Sequence, residues 1–293
     1  MADPPWVLRS LLFVPGHRRE MIAKAAQAGA DAIILDLEDG VAPAEKPAAR
    51  RTVAAALDGP LPDHLVVFVR VNSTASGLLD EDLREASRPR MDGVCLPKCD
   101  TSADVQALSA RLLATEDRLG VPRGRLRMLA LVETALGVLH APAIARESPR
   151  VWGAVFGAED FTADAGLPRT REGRELAAAR TAVSLAAHAA GIEAIDGIFA
   201  DFRDEEGLVA DTAEARRLGY TGKTVIHPAQ IAPVHRVFAP EPDEVAKARR
   251  IVDAFEQGEA AGSGIVVVDG AMVDRPVAVR AQRVLARAER TAT

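Results

Sequence analysis

Acidic and basic side chains stand at the ends of several short apolar segments in this chain. Glu133 and Asp160 follow two neighbouring segments, and Arg70 and Lys98 stand at the ends of two others. If the segments are parallel strands of a barrel, their carboxyl ends meet at one mouth. Carboxylates that share a cleft repel and desolvate one another, so they require a cation between them. Without a cysteine and histidine cluster, the pattern favours Mg²⁺, which takes one or two carboxylates, and we choose Glu133 and Asp160 as its ligands.

Each of these side chains also has a purely structural explanation. An acid after a strand commonly caps the next helix, which would account for Asp36 or Asp39. Glu159 would then pair with a barrel arginine, and Lys98 would form a salt bridge. Arg70 is harder to explain in this way, because a guanidinium inside an apolar strand needs an anionic partner. The whole set is therefore stronger evidence for a site than any single member.

The elements that would position these residues alternate regularly along the chain. Short apolar runs are separated by charged turns and alanine-rich amphipathic stretches, and such runs are typical of strands buried on both faces. Eight strand–helix units over roughly 230 residues predict an α/β fold of the TIM (β/α)₈ barrel type. A doubly wound open sheet fits the sequence less well, because no glycine-rich phosphate-binding turn follows the first apolar run. The predicted strands are Ser10–Val14, Ala32–Leu37, Leu65–Val71, Gly93–Leu96, Arg127–Val132, Val151–Phe156, Ala194–Phe199 and Lys223–Ile226.

The pattern changes after the eighth run. A helix is predicted over Asp243–Gln257, followed by two short strands around Asp269-Gly270 and a last helix over Pro276–Arg290. An Asp-Gly pair between two apolar runs is a strong hairpin signal. We therefore predict a catalytic barrel domain at 1–238 and a helix–hairpin–helix extension at 239–293, which acts as a lid or an oligomerisation arm.

Composition argues against several classes of protein. The net charge of −6 and the pI near 5.6 are unlike those of nucleic-acid-binding domains. No apolar run approaches the ~20 residues of a membrane span. Arg9 interrupts the apolar N-terminus and no cleavage site follows, so we predict no signal peptide and a soluble, cytoplasmic protein. Cys95 and Cys99 lack the further ligands of a zinc site, and His227 is predicted to be structural.

A series of motifs runs in order through nearly the whole chain: Arg9-Ser-Leu-Leu-Phe-Val-Pro-Gly16, Gly29-Ala-Asp-Ala-Ile-Ile-Leu-Asp-Leu-Glu-Asp39, Val41-Ala-Pro-Ala-Glu-Lys46, Val69-Arg-Val-Asn72, Leu131-Val-Glu-Thr134, Gly157-Ala-Glu-Asp-Phe161 and Gly222-Lys-Thr-Val-Ile-His-Pro-Ala-Gln230. Together they resemble the citrate lyase β-subunit-like proteins of the HpcH/HpaI aldolase superfamily. That family includes citryl lyase subunits, malyl-CoA and citramalyl-CoA lyases, malyl-CoA thioesterases and pyruvate aldolases. So many motifs in one order make the match highly specific.

The resemblance implies roles for residues at the barrel mouth. In the family, the residues that match Glu133 and Asp160 bind Mg²⁺, and we expect Mn²⁺ to substitute for it. The arginine that matches Arg70 contacts the reacting carbonyl of the substrate. The substrate carboxylate would lie against the backbone of Gly157, Ala158 and Glu159.

The resemblance also extends to the C-terminal segment 268–276, which is similar to the lid of CoA-dependent lyases. In those lyases, an aspartate at the position of Asp274 is the acid/base and acts in a neighbouring subunit's site. The family thus implies a homo-oligomer, a trimer or a hexamer. His17 and Arg19 depart from the asparagine and proline of many relatives, and this concerns the CoA pocket rather than the metal site.

These residues are consistent with retro-Claisen cleavage of a short β-hydroxyacyl-CoA to a 2-oxo acid and acetyl-CoA. Arg70 would stabilise the enolate oxygen, and Asp274 would protonate the enolate carbon. Glu38 and Asp39 would order the waters around the metal. The CoA phosphates would need cations at the rim of the site, and the candidates for binding them are Arg18, Lys24 and Lys46.

Other functions remain open at this point. The chain would also suit a citrate lyase β subunit that acts on an acyl group held by an acyl-carrier protein. A malyl-CoA thioesterase would release free CoA without an oxo acid. A CoA-independent pyruvate aldolase is the third alternative, although the lid segment with Asp274 argues against it.

Overall fold

The computed structural model describes residues 7–291 of the chain. The chain divides into two compact units, of which the first ends at His235 and the second begins at Arg236. Among the described residues, no helix has the length and apolarity that crossing a membrane requires.

The first unit is a closed barrel of eight parallel strands in the order of the sequence, with the first strand paired to the eighth. The predicted TIM barrel is therefore confirmed. Its strands are β1 (Ser10–Pro15), β2 (Ala32–Asp36), β3 (Val66–Arg70), β4 (Gly93–Leu96), β5 (Arg127–Val132), β6 (Val151–Phe156), β7 (Glu193–Asp196) and β8 (Gly222–Val225).

Helices follow the strands along the chain. They are α1 (Arg19–Ala25), α2 (Lys46–Leu57), α3 (Leu79–Ala86), α4 (Ser102–Leu119), α5 (Ala135–Arg146), α6 (Ala158–Asp164), α7 (Ala177–Ala190), α8 (Glu205–Arg217) and α9 (Ile231–Phe238). The alanine-rich stretch Arg171–Ala190 predicts one helix over its whole length, but Gly173 has a φ of +64° and only a 3₁₀ turn precedes α7 at Ala177. A glycine in this left-handed conformation interrupts a helix, which explains the later start.

The barrel interior is filled with side chains. Ile34, Phe68, Leu129 and Val155 belong to one buried apolar cluster that also contains Cys95. Cys95 and Cys99 are free thiols and both are buried. The barrel interior is thus filled below its mouth, and the carboxyl ends of the strands are where a barrel of this kind accommodates its ligand.

A buried ionic cluster supports the end of β7. Asp196 receives two hydrogen bonds from Arg180, at 2.8 and 2.6 Å, and a third from the ammonium of Lys223. Asp211 binds the same two cations, at 3.0 Å from Arg180 and 2.6 Å from Lys223. The two positive and two negative charges cancel, so this buried cluster is electrostatically complete. It anchors the residue that directly precedes the loop at Gly197.

The second unit contains α10 (Pro242–Ala260), β9 (Val266–Val268), β10 (Ala271–Val273) and α11 (Arg275–Thr291). The two strands form an antiparallel hairpin. Asp269 and Gly270 both have positive φ, 51° and 77°, as a two-residue turn of this kind requires. Phe255, Val273 and Ala278 form a small buried cluster within the unit. A lid or oligomerisation role for the unit stays a prediction.

Candidate active site

A cavity of about 310 Å³ lies at the carboxyl ends of the barrel strands. Its apolar wall includes Phe13, Leu131, Phe156, Ile198 and Ile226. The polar side chains predicted at the strand ends line the same cavity: Asp36, Arg70, Glu133, Glu159 and Asp160. The barrel topology thus brings together residues that are far apart in the sequence.

Glu133 follows β5 directly and is 1% exposed. Its Oε1 accepts a hydrogen bond of 2.7 Å from the backbone N–H of Lys98. Burial and the charge of Asp160 raise the pKa of Glu133 to about 8, although the hydrogen bond from Lys98 acts in the opposite direction. The negative form of this carboxyl group is therefore costly until a cation compensates it.

The packing around Glu133 explains the glycine that follows β6. A Cβ atom on Gly157 would lie 2.4 Å from the Cβ and 2.6 Å from the Oε2 of Glu133. Only a glycine allows the main chain to approach the carboxylate so closely. Asp160 lies three residues further on, in the first turn of α6.

The donor set fits a hard divalent cation. Glu133 and Asp160 line one cavity, and the negative charge of Asp160 contributes to the raised pKa of Glu133. Within residues 7–291, no group of three or more His, Cys, Asp or Glu side chains is arranged to hold a metal by itself. Two carboxylates with room for water and substrate oxygens suit Mg²⁺, whereas a structural zinc site would need four protein ligands.

Arg70 stands at the end of β3 and has the anionic partner that its burial requires. Its Nε and Nη2 each donate to Asp36 at 2.7 Å, and its Nη1 lies 3.2 Å from Glu38. The guanidinium also lies over the ring of Phe13, 4.9 Å from the ring centre. Asp36 and Arg70 are register partners on β2 and β3. The pairing therefore follows from the strand alignment.

Asp36 has two roles at once. Besides binding Arg70, it accepts the backbone N–H groups of Glu38 and Gly40, both at 2.8 Å. Burial alone would raise the pKa of Asp36, but the hydrogen bonds and charge of Arg70 outweigh it and the pKa is lowered. The structural explanation of Asp36 as a cap is thus compatible with a role in holding Arg70.

Glu38 and Asp39 contact the side chain of Lys98. Its ammonium donates to Glu38 Oε1 and lies 3.2 Å from Asp39 Oδ2. Burial raises the pKa of Glu38 despite the opposing charges of Arg70 and Lys98. Asp39 is mostly exposed. The salt bridge that the sequence allowed for Lys98 is present, and the ordering of metal waters by Glu38 and Asp39 stays a prediction.

Two other predicted residues have local structural contacts. Glu159 pairs with Arg169 at 3.0 Å, as the structural alternative anticipated. The ring of His227 stacks on Phe202, with ring centres 4.7 Å apart, and its Nδ1 accepts the backbone N–H of Ala229. These contacts are consistent with the structural role predicted for His227.

The three residues predicted to bind CoA differ in availability. Arg18 and Lys24 are exposed, before and within α1. Lys46 is not available, because its ammonium donates to the carbonyl oxygens of Leu37 and Glu38 and to the side chain of Asn72, at 2.8, 3.0 and 2.6 Å. With all three donors used, Lys46 fixes the loop after β2, and its assignment to CoA phosphate is corrected accordingly.

Asp274 lies in the second unit, directly before α11. Its Oδ1 accepts the backbone N–H of Val277 at 3.2 Å, so it caps this helix. Proton transfer by Asp274 stays a prediction. Sequence reasoning missed two contacts of this site: the bond from the Lys98 backbone to Glu133, and the three acceptors of Lys46. The positive φ of Lys98 and the strand register that pairs Asp36 with Arg70 are not readable from residue types.

Comparison with known proteins identifies relatives over the full length of the barrel. The sequence profile of the HpcH/HpaI aldolase/citrate lyase family matches residues 9–228. The citrate lyase subunit beta of Escherichia coli (strain K12) is 41% identical over 281 residues, which cover 96% of this chain and 93% of the relative. The (3S)-malyl-CoA thioesterase of Cereibacter sphaeroides (strain KD131) is 38% identical over 289 residues, covering 99% and 97%.

A solved structure shows the same similarity in three dimensions. The CitE protein of Mycobacterium tuberculosis, in complex with magnesium, acetoacetate and coenzyme A, aligns with a TM-score of 0.79 at 35% identity. The alignment covers 98% of this chain and 100% of that one. The citrate lyase beta subunit of the same organism, complexed with oxaloacetate and magnesium, aligns with a TM-score of 0.68 at 36% identity, covering 80% and 99%.

The raised pKa of Glu133 predicts how metal-free protein responds to pH. The group is a carboxylate in the unfolded chain above its ordinary pKa of 4.5, but it stays protonated in the folded protein up to about 8. The folded state therefore holds the extra proton, and its stability falls as pH rises between these values. We predict that Glu133→Gln, which stays neutral, gains stability relative to the parent protein on going from pH 5 to pH 8.

Urea unfolding in EDTA at the two pH values measures this difference, and Glu256→Gln, which removes an exposed carboxylate on α10, serves as the control. Relative stabilities that do not change with pH would contradict the shifted pKa.

Proposed function

The chain belongs to the HpcH/HpaI aldolase/citrate lyase family of lyases, and we propose that it cleaves a short β-hydroxyacyl-CoA to a 2-oxo acid and acetyl-CoA with the help of Mg²⁺. The observation that carries the proposal is the position of Glu133, Asp160 and Arg70 around one cavity. Two acids that line one cavity suit the metal, and the guanidinium suits a developing negative oxygen. The magnesium and coenzyme A in the CitE complex support the choice of cofactor and substrate class. We extend the proposal to Mn²⁺ as a substitute.

Glu133 and Asp160 would hold the metal, which would supply a Lewis acid toward the hydroxyl and carboxylate oxygens of the substrate. The apolar wall around them, with Leu131 and Phe156, reduces the water in the cavity and so strengthens each charge interaction there. The first-turn N–H groups of α6, at Ala158 and Glu159, have no partners within the helix and suit a substrate carboxylate.

Arg70 would act on the acyl half of the substrate. When the hydroxyl gives its proton to water and the Cα–Cβ bond breaks, its carbon becomes the carbonyl of the oxo acid. The bonding electron pair passes to the thioester half, whose carbonyl oxygen becomes an enolate oxygen. Nε and one N–H of Nη2 are occupied by Asp36, which fixes the plane of the guanidinium. Nη1 also lies 3.2 Å from Glu38. One N–H of Nη1 and one of Nη2 therefore remain to donate to the enolate oxygen. Because this geometry exists before substrate binds, Arg70 needs little rearrangement in the transition state.

Asp274 would complete the reaction by protonating the enolate carbon. We propose that it does so as part of a lid, in a homotrimer or hexamer, as the family resemblance implies. Arg18 and Lys24 remain as the proposed contacts of the CoA phosphates, since both are exposed, one directly before α1 and one within it. The cytoplasmic location stays a prediction from the sequence.

Two alternatives are supported by particular relatives. The similarity to a (3S)-malyl-CoA thioesterase favours hydrolysis as a second candidate, in which water attacks the thioester. The similarity to citrate lyase beta subunits favours an acyl group carried by an acyl-carrier protein. Both would use the same metal and Arg70, so the products must decide between them.

A coupled assay tests the proposal directly. Purified protein with Mg²⁺ is offered malyl-CoA, citramalyl-CoA and citryl-CoA, and glyoxylate, pyruvate, oxaloacetate and free CoA are detected separately. We expect one oxo acid to appear together with acetyl-CoA and to vanish with EDTA. Free CoA without an oxo acid would establish the thioesterase instead, and activity only after addition of an acyl-carrier protein would establish the subunit role.

Substitution of Asp274 tests its part in proton transfer. Asp274→Asn retains an oxygen that can cap α11 but removes the titratable group. We predict a fall in kcat of about 10²–10⁴, the usual contribution of a positioned acid or base, with unchanged metal affinity. Asp269→Asn, in the turn of the same hairpin, is the matched control, because Asn accepts its positive φ. Equal kcat in the two variants would remove Asp274 from the mechanism.

A further inference from the structure

Lys98 has a backbone conformation that its side chain disfavours. Its φ is +49°, and Asp269, at 51°, is the other non-glycine residue with positive φ in the described part of the chain. Asp269 belongs to a two-residue hairpin turn, which requires this conformation. Lys98 follows β4 and lies in no hairpin. In any L residue the left-handed conformation brings the Cβ close to the next carbonyl oxygen, so the surroundings must hold Lys98 in place.

The conformation directs the backbone of Lys98 toward the end of β5. Its N–H donates to Glu133 Oε1 at 2.7 Å, and the next N–H, of Cys99, donates to the carbonyl oxygen of Leu131 at 3.1 Å. The main chain thereby fixes one oxygen of Glu133. The other oxygen, Oε2, is the one that approaches Gly157. The orientation of the proposed metal ligand therefore depends on the φ of Lys98.

The side chain of Lys98 contacts a different part of the site. Its ammonium donates to Glu38 Oε1, while the other oxygen of Glu38 lies 3.2 Å from Arg70 Nη1. Asp36 and Glu38 carry two negative charges against the single positive charge of Arg70. The ammonium of Lys98 compensates the negative charge of Glu38. Without it, two carboxylates would share one guanidinium, and less of its positive charge would be available to an enolate oxygen.

We propose that Lys98 is a positioning residue with two separable tasks: its backbone N–H orients Glu133 for the metal, and its ammonium holds Glu38 so that Arg70 keeps its charge and geometry. The inference rests on the proposed function, since it assigns Glu133 to the metal and Arg70 to the substrate. Lys98 itself does not line the cavity, so the proposal assigns it no contact with either the metal or the substrate. The two tasks use different atoms of one residue, so substitutions can remove them one at a time.

Three variants separate the tasks. Lys98→Gly removes the ammonium but accepts a positive φ, so the backbone donor stays in place. Lys98→Val removes the same ammonium and also disfavours the conformation, because a β-branched residue rarely adopts it. Lys98→Arg retains the charge. The affinity for Mn²⁺ without substrate, determined by electron paramagnetic resonance or calorimetry, tests whether the backbone orients Glu133. The kcat for thioester cleavage at saturating Mg²⁺ tests whether the ammonium supports Arg70.

We expect Lys98→Gly to retain metal affinity within about threefold, whereas Lys98→Val loses about 10- to 100-fold, the usual cost of disturbing a contact that orients a metal ligand. We expect kcat to fall by at least about tenfold in Lys98→Gly, because Arg70 is weakened rather than removed, and to recover most of this loss in Lys98→Arg. Circular dichroism and the melting temperature monitor folding, and if Lys98→Val does not fold, the pair Lys98→Gly and Lys98→Arg still tests the ammonium.

Contrary results are equally definite. A loss of metal affinity in Lys98→Gly as large as in Lys98→Val would overturn the backbone task, and an unchanged kcat in Lys98→Gly would overturn the ammonium task. A parent protein that binds Mn²⁺ but cleaves no thioester would contradict the proposed function alone, and the affinities of the Gly and Val variants would still decide whether the Lys98 backbone orients Glu133.

Discussion

The structure of the barrel mouth depends on compensation of buried negative charge. Asp36, Glu38 and Glu133 are all nearly inaccessible to solvent, at 4%, 6% and 1% exposure, and Asp160 lies beside the last of them. Arg70 and Lys98 neutralise Asp36 and Glu38 through direct contacts. Among residues 7–291, the one direct donor to the Glu133 carboxylate is the backbone N–H of Lys98, and burial together with the charge of Asp160 raises the pKa of Glu133. One half of the site is therefore balanced by the protein itself, and the other half favours a divalent cation.

Much of the fold follows from local sequence, because most barrel strands are buried on both faces and are therefore apolar runs. The larger differences from the prediction concern two elements and have different causes. The run Ala194–Phe199 ends as a strand at Asp196, since Gly197 lies so close to β6 that a Cβ would be 2.6 Å from the Phe156 carbonyl oxygen. The later start of α7 has a local cause instead, the conformation of Gly173. The close approach of Gly197 to β6 cannot be predicted from the residues of one apolar segment.

The residues of the candidate site could be predicted from the sequence, but their contacts could not. Barrel topology places every strand end on one rim, so Glu133, Asp160 and Arg70 could be grouped before any geometry was known. Their partners could not, because pairing of Asp36 with Arg70 depends on strand register and the contacts of Lys46 depend on how one loop folds. The substrate is harder still to read. The cavity is largely apolar, and relatives with two different named activities match this chain at similar identity, 41% and 38%.

A crystal structure of the protein with Mn²⁺ and a 2-oxo acid tests the central claim most directly, because anomalous scattering locates the ion independently of activity. The account predicts one strong peak at about 2.1 Å from carboxylate oxygens of both Glu133 and Asp160, with the oxo acid completing the coordination beside Arg70. A peak bound to other residues, or a Glu133 that remains protonated and free of metal at saturating Mn²⁺, would contradict it.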